Sequence, residues 1–131
     1  MSKFLKVLFI SLVFFGCKLP IKKQTNIIVS DVQNFWNAYD KFHETKDSIQ
    51  QIKYLEEYFI NKGTSGLKAM MKARRYSAVS YQQAILKYPK FWKTLRPKTL
   101  KIKDYKENIK KGVQRFKKIY PNAKQANIYF V

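Results

Sequence analysis

Few side chains in this sequence have types and spacing suited to chemistry. One cysteine, Cys17, and one histidine, His43, are too few soft ligands for a self-contained zinc site, and a lone cysteine excludes an internal disulfide. Asp40 and Glu44 stand one helical turn apart, as an acid/base pair could, although such paired carboxylates more often form a solvated face. Neither a P-loop nor the nucleophile elbow GxSxG is present. Arg74 and Arg75, followed by Tyr76, close a predicted helix, where cations suit the terminal dipole better than they argue for a ligand.

Cys17 has the more distinctive setting. Lys3 and Lys6 precede or edge the apolar run from Val7 to Phe15, and Gly16-Cys17 follows, which is the charged, apolar and small-residue layout of a bacterial secretory signal. The cysteine's position resembles a lipobox, where signal peptidase cuts before a lipidated cysteine. Phe14 stands where leucine is commonest, so the match is to the relaxed pattern. An ordinary cleaved signal or an uncleaved anchor are the alternatives. The run falls short of the roughly 20 apolar residues that cross a bilayer, and neither alternative explains the place of the only cysteine. Acyl chains on Cys17 would anchor the mature chain at a membrane, each buried CH₂ adding about 0.8 kcal/mol.

Those residues must be carried by elements that the rest of the chain forms. In 131 residues, a 46% hydrophobic and 16% aromatic content excludes disorder, and 4 Gly with 4 Pro leave little room for a turn-dense β fold. The expectation is a mostly α domain of about five or six helices with one C-terminal β-strand. It divides into a signal over 1–16, a lipidated Cys17 and tether to 29, a helical domain over 30–125 and a strand over 126–131.

Ser30-Asp31-Val32-Gln33 reads as a capping box, and Val32, Phe35, Trp36, Tyr39 and Phe42 give the first helix an aromatic face. A second helix starts at Thr45 or Asp47 and carries Ile49, Ile52, Leu55 and Phe59 to Gly63, forming a helical hairpin with the first. Thr64 or Ser65 and Ser77 or Ser80 can cap two more, and Pro89 and Pro97 predict interruptions. The last helix repeats Ile102, Tyr105, Ile109, Val113, Phe116 and Tyr120 at core spacing. The β-prone end, Ile128-Tyr129-Phe130, has no convincing second strand in the sequence. It is expected to be unpaired or weakly docked, the chain stopping as a sheet should begin.

Charge is divided unevenly. Residues 18–61 balance six Lys with six acidic residues, whereas from Lys62 onward nineteen Lys and Arg face only Asp104 and Glu107, a net +17. Such a field attracts anionic lipid or polysaccharide, with Arg74, Arg75, Lys103, Lys106, Lys110 and Lys111 as the candidate contacts. Tyr88, Phe91, Trp92 and Tyr105 interleave with cations, as stacking on nucleic acid requires, but core spacing outweighs that reading.

From residue 30 onward, the order of segments Asn34-Phe35-Trp36-Asn37-Ala38-Tyr39-Asp40, Lys62-Gly63-Thr64-Ser65-Gly66-Leu67-Lys68, Lys72-Ala73-Arg74-Arg75-Tyr76, Tyr88-Pro89-Lys90-Phe91-Trp92 and Ile119-Tyr120-Pro121 resembles a family of bacterial lipoproteins described as zinc-dependent proteases. The resemblance implies that this helical part precedes a mixed sheet and a helix bearing HExxH, where two histidines bind zinc and the glutamate is the base. That motif is absent. His43-Glu44-Thr45-Lys46-Asp47 begins like it but puts Asp47 at the second ligand position and falls at a helix junction. No catalytic residue carries over, and zinc belongs only to a full-length relative. The expectation is therefore a non-catalytic, lipid-anchored envelope protein, the helical front of such a lipoprotein, without cofactor. The alternatives are a basic module for anionic surfaces, or an interaction protein that adds its terminal strand to a partner's sheet.

Overall fold

The computed structural model describes residues 25–131, so the signal segment and Cys17 lie outside the described residues. The fold is mostly α, as the helical periodicities predict. Helix α1 (Ser30–His43) turns Phe35, Trp36, Ala38 and Phe42 inward. The capping box expected at its start does not form: Val29 precedes the helix without a side-chain cap, and the Gln33 amide donates to Asn37 Oδ1 at 3.0 Å. A tertiary partner replaces the local one. Asp31, only 1% exposed, accepts the backbone N–H of Thr64 at 2.9 Å and also the Thr64 hydroxyl. Thr64 in turn caps α3 (Ser65–Arg74) by accepting the Leu67 N–H, so one carboxylate ties together the starts of two helices.

Helix α2 (Ser48–Leu55) starts at Asp47, whose Oδ1 accepts the N–H groups of Ile49 and Gln50 at 2.8 and 2.9 Å. It passes directly into a π-helical turn, Glu56–Ile60, and Leu55 and Phe59 pack on α1. Ile49, expected on the apolar stripe, is instead 68% exposed, while Gln51 two residues on is buried. Helix α4 (Ala78–Lys87) carries the capping box of the described chain, between Ser77 and Ser80. It crosses α2 through a polar contact in which the Gln82 amide donates to Ser48 and to Gln51 Oε1.

Helix α5 (Pro89–Leu100) corrects the expected break at Pro97, because the helix continues through it. Proline removes one backbone donor here. The turn is braced from outside: Trp36 Nε1 donates to Thr99 Oγ1 at 2.9 Å, and that hydroxyl lies 3.2 Å from the carbonyls of Leu95 and Arg96. A 3-10 turn, Lys101–Tyr105, leads into α6 (Lys106–Ile119).

The terminal strand is paired, contrary to the sequence expectation. Strand β1 (Ile27–Ile28) lies parallel to β2 (Ile128–Tyr129), with Ile128 N–H donating to Asn26 O at 2.8 Å and Phe130 N–H to Ile28 O at 2.9 Å. Thr25, Ile27 and Val29 are buried, so the packed unit begins inside the stretch read as a tether rather than at Ser30. Strand β2 is also held from α3: Tyr129 covers Gly66, where a Cβ would collide with its ring, and Ser65 Oγ donates to the Tyr129 hydroxyl at 3.0 Å.

Candidate functional site

The carboxylates and the histidine that could have shared chemistry are kept apart. His43 is the last residue of α1; its ring stacks on Tyr39 with centroids 4.3 Å apart, and its Nδ1 lies 3.0 Å from the Tyr39 carbonyl. Asp47 begins the next helix as its cap, so the two positions of the HExxH-like segment do not share a helix. Asp40 and Glu44 each take a different cation. Arg96 grips Asp40 with two bonds of 2.6 and 2.7 Å, while Glu44 pairs with Lys41 at 3.1 Å. The bonds from Arg96 hold the Asp40 carboxyl below its ordinary range against the opposing effect of partial burial. The same guanidinium lies 5.3 Å from the centre of the Trp36 ring. Among the described residues, no three His, Cys, Asp or Glu side chains gather as a metal site would require.

Arg74 ends α3 and Arg75 sits just beyond it in the left-handed conformation, φ 56° and ψ 37°. Arg75 N–H bonds to Lys72 O and Tyr76 N–H to Met71 O, the pair of contacts of a Schellman motif, with arginine where glycine is usual. The two arginines are exposed, on a different element from the other candidate cations.

Those others lie on consecutive elements. Lys103 lies in the 3-10 turn, and Lys106, Lys110 and Lys111 lie on α6, joined by Arg115, Lys117 and Lys118, which the sequence analysis did not single out. Six cations against Glu107 give α6 a net +5. Glu107 is itself paired with Lys110 at 2.6 Å, and this pairing lowers the Glu107 carboxyl. The apolar stripe of the same helix is not core. Ile109 and Val113 are half-covered, but Phe116, Ile119 and Tyr120 are 52%, 70% and 58% exposed, with Tyr105 open beside them. The substantial packing of α6 is confined to the 3-10 turn before it. The spacing was legible; what the sequence could not show is that, among the described residues, no element closes over Phe116, Ile119 and Tyr120.

The interleaved aromatics divide similarly. Trp92 turns inward, donating Nε1–H to Ala84 O at 2.9 Å, whereas Tyr88, Phe91 and Tyr105 are 51%, 54% and 53% exposed. None of the described helices is long and apolar enough to cross a membrane. The chain matches no family model, no curated protein and no solved structure.

Proposed function

We propose that this chain is an exported, lipid-anchored, non-catalytic module of the cell envelope, and that α6 lies on an anionic membrane surface. The observation that carries the reading is the open apolar edge of α6, Phe116, Ile119 and Tyr120, on a helix of net +5. Such a helix gains twice at a lipid interface. Its aromatic and aliphatic side chains enter the boundary of the acyl region, and each cation near an anionic surface adds about 1 kcal/mol. The Cys17 signal supports the same placement. With packing begun at Thr25, residues 18–24 span about 2.5 nm at most, which keeps the domain at high effective concentration beside the bilayer that holds its anchor.

The resemblance to lipoproteins described as zinc-dependent proteases supports reading this unit as the helical, non-catalytic part of such a protein. It rests on segment order, and zinc and peptidase activity belong to the HExxH half that this sequence does not contain.

The test is binding of the full chain to vesicles of phosphatidylglycerol and phosphatidylcholine, against vesicles of phosphatidylcholine alone. Binding should favour the anionic vesicles, weaken steeply with salt, and fall by roughly tenfold in a Lys106→Glu, Lys110→Glu, Lys117→Glu variant. A Phe116→Ser, Ile119→Ser variant should lose binding that high salt does not restore. Equal binding to both vesicle types, or no effect of either variant, would overturn the reading.

A further inference from the structure

A second feature, with no residue of α6 in its lining, is an apolar cavity of about 180 Å³ in the helical domain. Its walls are the rings of Phe35, Trp36, Phe59, Tyr81 and Trp92, closed from one side by Met70. Tyr76 and Val131, which also line it, are 47% and 46% exposed. The indole N–H groups and the threonine hydroxyl in its walls are already committed. Trp36 Nε1 donates to Thr99, the Thr99 hydroxyl lies against two backbone carbonyls, and Trp92 Nε1 donates to Ala84 O. Burial pushes the Tyr81 hydroxyl up to about 12, so that side chain stays neutral under physiological conditions. The cavity therefore offers an occupant mainly dispersion contact, with neutral tyrosine hydroxyls and no charged group in its walls.

Size and surrounding charge narrow the occupant further. An apolar cavity of roughly 150 Å³ suffices to hold benzene, so this one takes a hydrocarbon segment of about six or seven carbons. Helices α3, α4 and α5, which supply Met70, Tyr81, Trp92, Leu95 and Thr99 of the lining, carry with their connections nine Lys and Arg over residues 65–100 and no Asp or Glu. Arg74 and Arg75, both exposed, directly precede Tyr76, one of the exposed lining residues. A neutral or cationic amphiphile would gain nothing from this frame, whereas a carboxylate or phosphate head would be drawn to it.

We infer that the cavity is a binding site for the hydrocarbon end of an anionic amphiphile, with the acyl tail among Phe35, Trp36, Phe59, Tyr81 and Trp92 and the acidic head toward Arg74 and Arg75. The site is independent of the α6 surface, because its lining includes no residue of α6.

Both tryptophans of the chain line the cavity, so their emission reports its occupancy directly. The experiment titrates the full chain, in detergent-free buffer, with octanoate carrying bromine at its terminal carbon. Saturable quenching is expected, reversed by unlabelled octanoate and roughly fivefold weaker when brominated octylamine replaces the acid. Met70→Phe, which fills the cavity, should weaken quenching by roughly tenfold. Leu95→Phe serves as a second filler should the first variant lose its helical circular dichroism. Arg74→Gln, Arg75→Gln should reduce the preference for the acid while leaving octanol competition unchanged. Unsaturable quenching, equal quenching by acid and amine, competition by toluene but not octanoate, or full quenching in both folded filler variants would each overturn the proposal.

Discussion

At the scale of single residues, the positions that looked most chemical are structural, and their partners say why. Asp31 was legible as a helix-start residue but not as the buried acceptor of Thr64, because that bond spans thirty-three positions and no local pattern encodes it. Arg75 was legible as a helix-closing cation, yet its left-handed backbone follows from the Schellman geometry. A non-glycine residue there carries a steric cost of about 1–2 kcal/mol, partly offset by the greater entropy glycine has in the unfolded chain. Arg75→Gly should therefore raise unfolding stability by about 0.5–1 kcal/mol in urea titration, and a loss of stability would mean that the arginine side chain makes a contact worth more than the strain.

Asp40 yields a pH dependence with a definite sign. Its carboxyl is lowered in the fold by Arg96, so the pair contributes fully above the unfolded carboxylate value and is lost as pH falls through the folded one. The side chains are 37% and 54% exposed, so screening limits the contribution to about 1 kcal/mol or less. Asp40→Asn should lower Tm by a few degrees at pH 7 and by nothing near pH 2. A deficit that persists in acid would assign the effect to packing around Trp36 instead.

At the scale of elements, helices with an aromatic face and a good cap were readable, and their ends were less so. The periodicity of α1 and α2 predicted Phe35, Trp36, Phe42, Leu55 and Phe59 in the core, where they are found. Pro97 misled because its cost is local while the compensating Trp36 to Thr99 bond is not. The strand pair was invisible for a similar reason: Ile27-Ile28 is too short to show alternation, and its partner lies a hundred residues away. The docking of β2 depends on Gly66, whose missing side chain makes room for Tyr129. Gly66→Ala should destabilise the domain by about 1–2 kcal/mol despite alanine's better helix propensity. In a Tyr129→Ala background the same change should become neutral or stabilising, and a strictly additive double-mutant cycle would show that the ring does not set the cost.

At the scale of the whole molecule, the sequence made the charge division plain, with +17 gathered from Lys62 onward. It did not reveal that the last amphipathic helix would be left open, because a 3, 4, 4, 3, 4 spacing looks the same whether a partner helix or a lipid surface is to cover it. Packing among the described residues resolves the difference: α1 to α4 supply the buried core with Trp92 of α5 against it, and α6, which buries no residue, keeps Phe116 and Ile119 exposed beside its lysines, with Tyr120 open at its end. The central claim is that this helix, rather than the bundle, meets the membrane. Amide hydrogen exchange of the full chain, with and without anionic vesicles, tests it most directly. The account predicts that vesicles slow exchange over Lys106–Ile119 several-fold and leave α1 and α2 unchanged; protection confined to α1–α5, or none at α6, would contradict it.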